Sequence, residues 1–156
     1  TLVDGSSADL GRVGEVVHVD TALLKTLLSD GFTPVVSPIA VEFDGEVEVP
    51  HHGLNVNADL AAAAIAGALD ATSLIFMTDV PGIYRNWPDR DSLIPEISAE
   101  ELTEIKDEFK GGMAPKVKAC LDAIEKGAKY VRIIDGRDPK ALDEALNGTG
   151  GTVVFK

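Results

Sequence analysis

At 156 residues, 45% of them apolar, the chain suits one domain, or one domain and part of another, around a packed core. Its formal charge of −12 repels nucleic acid phosphates and argues against a DNA or RNA partner. No run approaches the roughly 20 apolar residues of a membrane span, and the polar start over residues 1–11 does not read as a signal peptide.

Residues 13–19 (VGEVVHV) read as a strand. Asp20 is placed to cap the helix that follows, where Leu23, Leu24, Leu27 and Leu28 form one apolar stripe, and Gly31 to end it. Residues 33–39 (TPVVSPI) read as a second strand. Residues 42–49 (EFDGEVEV) alternate acidic and apolar side chains around Asp44-Gly45, a hairpin signal. Asn57 caps an Ala-rich helix running to about Leu69. Its 61–64 alanine run has no polar face, which predicts burial on most sides. Residues 73–77 (SLIFM) are apolar without alternation, as in a central strand covered on both faces. A loop with Pro81, Gly82, Trp87 and Pro88 follows. Ser98 and Glu101 then form a capping box. Pro115 opens the next helix, which ends at Gly127. Residues 130–134 (YVRII) form a strand, 139–146 a short helix and 152–155 a last strand. Strands separated by helices predict an α/β sheet with helices on both faces, and the hairpin adds an antiparallel element.

Three segments fall where such a sheet binds ligands, outside the C-terminal ends of its strands. The first, Thr78-Asp79-Val80-Pro81-Gly82, follows the apolar strand directly. It reads as a nucleotide loop or as an ordinary turn, since Asp, Pro and Gly populate turns for local reasons. The second is Gly111-Gly112-Met113-Ala114-Pro115-Lys116. Lys116 in a first helical turn opposes the helix dipole by about 0.3–1 kcal/mol. That cost vanishes when an anion sits at the helix end, because backbone N–H groups, dipole and ammonium then point at one negative charge. The alternative is a solvated lysine. The order of residues is not that of a P-loop. The third, Leu54-Asn55-Val56-Asn57-Ala58-Asp59, opens a helix. Asn57 as cap and Asp59 as dipole partner have local explanations. Asn55 has none and is free to bind a polar ligand group.

Other polar residues carry less. His51 and His52 read as a solvated loop pair rather than a metal site, and His18 as half-buried in a strand. Asp135-Gly136-Arg137 follows a strand and either binds an anion or turns the chain. The single cysteine, Cys120, cannot build a disulfide framework or a zinc site. It reads as a buried small hydrophobe in a chain from a reducing, cytoplasmic compartment.

Taken in order, Asn-Val-Asn-Ala-Asp at 55–59, Thr-Asp-Val-Pro-Gly at 78–82, Gly-Gly-Met-x-Pro-Lys at 111–116 and Ile-Ile-Asp-Gly-Arg at 133–137 resemble the N-acetylglutamate kinases of the amino-acid kinase family. Residues 10–24 (LGRVGEVVHVDTALL) also look like that group. The resemblance implies a three-layer αβα sandwich of the carbamate-kinase type, with a mainly parallel sheet plus the hairpin. Residues 1–72 would be the C-terminal part of the substrate lobe and 73–156 the ATP lobe. It further implies transfer of the γ-phosphoryl group of MgATP to the side-chain carboxylate of N-acetyl-L-glutamate in arginine biosynthesis, Mg²⁺ being held by the nucleotide. A carrier-protein-linked aminoadipate or glutamate substrate is the neighbouring alternative, and a non-catalytic nucleotide-binding module the alternative outside enzymes.

By the same resemblance, Lys116 stabilises charge on the transferring phosphoryl group and Asp59 holds the catalytic lysines by ion pairing. Asn55 binds the substrate α-carboxylate. Thr78, Asp79, Val80, Pro81, Gly82, Ile83 and Tyr84, with Phe109, Lys110, Gly111 and Gly112, line the nucleotide pocket. The family's Gly-rich loop with a second phosphate-binding lysine, and its substrate-gripping Gly-Gly loop and arginine, have no counterpart before Asn55. The chain is therefore expected to start midway through the substrate lobe, as its initial Thr1 also suits, and to lack turnover by itself. Arginine-inhibited relatives carry a histidine and a glutamate where Lys140 and Ala145 stand here, so arginine inhibition is not expected. The parent enzyme would be a homo-oligomer.

Overall fold

The computed structural model describes residues 11–43 and 48–156. In chain order these form α1 (Ala22–Ser29), β1 (Ile39–Phe43), β2 (Glu48–Asn55), α2 (Ala58–Ala68), β3 (Leu74–Thr78), β4 (Ile83–Tyr84), β5 (Leu93–Ile94), β6 (Glu96–Ser98), α3 (Ala99–Ile105), α4 (Met113–Glu125), β7 (Tyr130–Asp135), α5 (Ala141–Leu146) and β8 (Thr152–Phe155).

The main sheet runs β3-β7-β8-β6. β3 and β7 are parallel, with Thr78 level with Asp135. β8 is antiparallel to β7 and parallel to β6, so the sheet is mainly parallel. Successive strand residues point to opposite faces. Val131 and Ile133 join a core with Ala63, Leu102, Val117, Cys120 and Ala123, from α2, α3 and α4. Ile134 faces the other way and packs with Ala141 and Ala145 of α5, beside Ile75. Helices on both faces make the three layers expected of the sequence.

Local signals set most helix ends. Asn57 Oδ1 accepts the N–H groups of Asp59 and Leu60 at 3.0 and 3.1 Å. Ser98 and Glu101 complete both halves of a capping box. Asp20 accepts the Ala22 N–H at 2.9 Å, although the cap position itself is Thr21. α4 begins at Met113 rather than Pro115. Pro115 is thus its third residue, still in the turn whose N–H groups have no helical acceptor. The helix closes at Lys126 and Gly127, the latter at φ +108°. α2 and α4 approach closely, since a Cβ on Gly67 would lie 2.1 Å from the Lys126 carbonyl oxygen.

Several expectations are corrected. β3 lies at the edge of its sheet rather than in the centre, and Met77 on it is exposed. Only Ala63 and Ala66 of α2 are buried. β4, β5 and β6 occupy a stretch that reads as loop, each only two or three residues long. β4 and β5 are tied together by Thr152, fully buried, whose hydroxyl accepts the Ile83 N–H at 2.8 Å and donates to the Ile94 carbonyl, while β6 pairs with β8.

The largest departures lie in residues 13–41. The 13–19 segment makes one parallel bridge, Val13 with Asn55, and no strand. Residues 33–36 likewise belong to no strand, and pairing starts at Ile39. No residue of α1 is fully buried, and of its leucine stripe Leu23 and Leu28 are exposed while Leu24 and Leu27 are half-buried. Val17 is 78% exposed and Val35 96% exposed. The apolar pattern of a strand needs a neighbour to hydrogen-bond and cover it, and no described residue supplies one here. His18 is correspondingly exposed. β1 and β2 form the expected antiparallel pair, from Ile39 opposite Asn55 to Phe43 opposite Glu48, with a register shift after Val41. The Asp44-Gly45 tip lies outside the described residues. His51 and His52 belong to β2 rather than to a loop after it.

Candidate nucleotide site

The turn after β3 and the start of α4 meet at one ion pair. Asp79 is exposed at the C-terminal end of β3, and Thr78 fixes the turn by accepting the Val80 N–H at 3.2 Å. Lys116 sits on the fourth residue of α4 and reaches across to Asp79 Oδ1 at 3.1 Å. Its side chain is 23% exposed against 73% for Asp79, so the stem packs while the carboxylate stays in water. The lysine hydrogen bond is the chief cause that holds the Asp79 carboxyl below its ordinary range, helped by a backbone hydrogen bond. The anion that the position of Lys116 calls for is thus supplied in part by this carboxylate.

The helix start itself is open. Gly112 occupies the cap position with no side-chain cap. Gly111 has φ +59°, and nothing lies within 4 Å of where a Cβ on either glycine would stand. Lys110 is exposed beside them. A phosphate can therefore approach the first-turn N–H groups and the ammonium together.

Asp59, exposed in the first turn of α2, makes no ion pair with Lys116 among the described residues. It is near, however. Its charge adds to the effect of burial on Cys120, which stands one turn beyond Lys116 on α4, and together they push that thiol up to about 12. Cys120 is the buried hydrophobe its sequence context suggested. Asn55 ends β2, where its backbone N–H and carbonyl bond to Arg12 and Gly14, and its side chain is exposed. Gly82, Ile83, Tyr84 and Phe109, given to the pocket lining by the resemblance, present little surface. They are buried, the last three as members of the main core. Gly82 faces Thr152 and Leu93. The residues presenting surface at the turn are Thr78, Asp79, Val80 and Pro81.

Sequence reasoning missed the role of Arg137. Its guanidinium chelates Asp135 at 2.7 and 2.9 Å and also donates to the Asp79 carbonyl. The turn beyond β7 is therefore a structural clasp. The Arg137 hydrogen bonds are the main cause that lowers the Asp135 carboxyl to about 2. A depressed carboxyl stabilises the fold above its unfolded value of roughly 3.9. That contribution is lost as the pH falls from there through about 2. Side-chain carbonyl NMR should place the Asp135 midpoint near the lower limit, and Arg137→Gln should return it to the ordinary carboxylate range. A normal midpoint in the unmutated chain would contradict the clasp.

Fold and site together define an α/β protein that presents a lysine and an open helix start at the C-terminal ends of parallel strands. The Amino acid kinase family profile matches residues 1–135. Acetylglutamate kinase of Paenarthrobacter aurescens is 50% identical over 146 residues, 91% of this chain and 46% of that enzyme. Acetylglutamate kinase of Mycobacterium sp. (strain KMS) is 44% identical over 156 residues, 98% of this chain and 52% of that enzyme. Among solved structures, N-acetylglutamate synthase from Neisseria gonorrhoeae, complexed with coenzyme A and L-arginine, aligns with a TM-score of 0.80 at 25% identity, over 99% of this chain and 34% of that one. Carbamate kinase from Giardia lamblia, bound to citric acid, aligns at 0.65 and 25% identity, over 88% and 44%. This chain belongs to the amino acid kinase family. It spans about half the length of the curated relatives it matches.

Proposed function

We propose that the chain is the nucleotide-binding portion of an acetylglutamate kinase, an enzyme that phosphorylates the side-chain carboxylate of N-acetyl-L-glutamate at the expense of ATP. The observation that carries this reading is Lys116 at the open start of α4, beside the Asp79 turn at the end of β3. The names of the curated relatives support the substrate. In this reading residues 73–156 form the ATP lobe and residues 1–72 part of the substrate lobe.

MgATP supplies the γ-phosphoryl group, and the products are an acyl phosphate and ADP. The chain contributes position and charge, which suffice for phosphoryl transfer. Lys116 neutralises charge on the phosphoryl oxygens. Its exposed pair with Asp79 is worth about 0–1 kcal/mol, whereas a charge-assisted hydrogen bond to phosphate is worth roughly 1.5–3 kcal/mol. An ammonium has three donors, so Lys116 can bond a phosphoryl oxygen while it keeps Asp79. The backbone of residues 111–114 orients the phosphates, and the exposed Asn55 amide receives the substrate carboxylate. Asp59 lies close enough to add to the hold of Asp79 on Lys116. Mg²⁺ rides on the phosphates in this scheme and asks no dedicated cage of the protein.

Titration with MgATP tests the reading. Lys116→Ala should weaken binding by about tenfold or more, the loss of one charged hydrogen bond. Unchanged affinity would make Lys116 a surface lysine and remove the assignment. The chain alone should show no acyl-phosphate formation, because one cation is left to do what each added donor improves by several kcal/mol. Turnover by these 156 residues would refute that part.

A further inference from the structure

The clasp beyond β7 reaches further than its own turn. Thr78 and Asp135 lie level at the ends of parallel β3 and β7, and the Gly136 N–H donates to the Thr78 carbonyl at 2.8 Å. Arg137 then binds both turns. Its Nε and Nη2 hold the two Asp135 carboxylate oxygens, and Nη2 also donates to the backbone carbonyl of Asp79. The carboxylate of that same Asp79 receives Lys116. A continuous polar path thus runs from Asp135 through Arg137 and Asp79 to Lys116.

We infer that Arg137 is a positioning residue for nucleotide binding, which fixes the Asp79 turn so that its carboxylate sets the Lys116 ammonium at the start of α4. The inference rests on the nucleotide site proposed above. The pair with Asp135 accounts for the hold on that carboxylate but not for the added bond to the Asp79 carbonyl. Charge alone does not account for it either. A planar fork serves the carboxylate and the carbonyl together, and an ammonium does not reproduce that geometry. The group that Arg137 holds on Asp79 is the backbone, so it constrains the direction of the turn and leaves both side-chain oxygens for Lys116.

A double-mutant cycle on the full chain tests this, with MgATP affinity read by NMR titration. Lys116→Met should weaken binding about tenfold in the unmutated background. Arg137→Gln should weaken it several-fold under conditions where the urea curve shows the variant fully folded. In the Arg137→Gln background, Lys116→Met should cost no more than about twofold, because the ammonium is already misplaced. Arg137→Lys should behave like Arg137→Gln, and it carries the same cycle should the glutamine variant unfold. Multiplying single effects would show that Arg137 acts independently of Lys116 and would overturn the inference. So would full affinity in Arg137→Lys. An absent effect of Lys116→Met alone would instead remove the nucleotide site itself, and the inference with it.

Discussion

Gly67→Ala is expected to lower the stability of the chain by about 2 kcal/mol or more. The added methyl would lie 2.1 Å from the Lys126 carbonyl oxygen and 3.1 Å from its carbon. That oxygen is backbone at the closing turn of α4, so no rotamer change relieves the clash. Overpacking of this kind costs about 1–3 kcal/mol and sometimes more. The better helix propensity of alanine returns at most about 1 kcal/mol. The relief available is to push α4 away from α2. That movement also reaches the site, because α2 carries Asp59 at its start and α4 carries Lys116 and Cys120. A lowered urea midpoint should therefore come with a downward shift of the Cys120 thiol from about 12, as burial and the Asp59 charge both recede. An unaltered or raised midpoint would mean that the helices do not meet at Gly67.

Gly151→Ala is expected to be costlier still, by roughly 3–5 kcal/mol, from two independent causes. Gly151 has φ +70°, where a side chain is strained, and its Cβ would stand 2.2 Å from the Ile133 carbonyl oxygen and 2.9 Å from Ile134 Cγ2. The next residue is Thr152, whose buried hydroxyl holds the Ile83 N–H and the Ile94 carbonyl. Displacing it loosens the segment directly behind the Asp79 turn. MgATP affinity should fall with stability. Gly148→Ala separates the causes, since Gly148 has φ +83° but nothing within 4 Å of a new Cβ. It should cost only the backbone strain of about 1–3 kcal/mol. Equal urea midpoints for the two variants would remove the steric half of the argument.

Features encoded by near neighbours were legible in the sequence. Asn57, Ser98 and Glu101 cap where their spacing to the helix says they must. β7 and β8 follow from apolar runs bounded by turn residues, and the helix–strand alternation predicts three layers. What was not legible depends on partners distant in sequence. Lys116 could be seen to want an anion, but nothing local names Asp79 as one. Arg137 reads equally as a turn or as an anion binder until Asp79 is placed beside it. The resemblance places Tyr84 and Phe109 at the nucleotide pocket, and nothing local in the sequence shows that both also pack into the main core. The valines at 13–19 and 33–36 carry the alternation of strands, and alternation specifies a face without supplying the neighbour that completes it.

Those two valine-bearing segments also govern the colloidal behaviour of the chain. Extended apolar backbone with open hydrogen-bonding groups is a template for strand addition between copies. Val17 and Val35 stand in the open, and the charge of −12 opposes such contact between copies. That protection vanishes near pH 4.5, where the net charge of the sequence reaches zero, and thins at any pH as salt shortens the range of repulsion. Light scattering from concentrated solutions of this chain is therefore expected to rise as the pH nears that point or as salt is added.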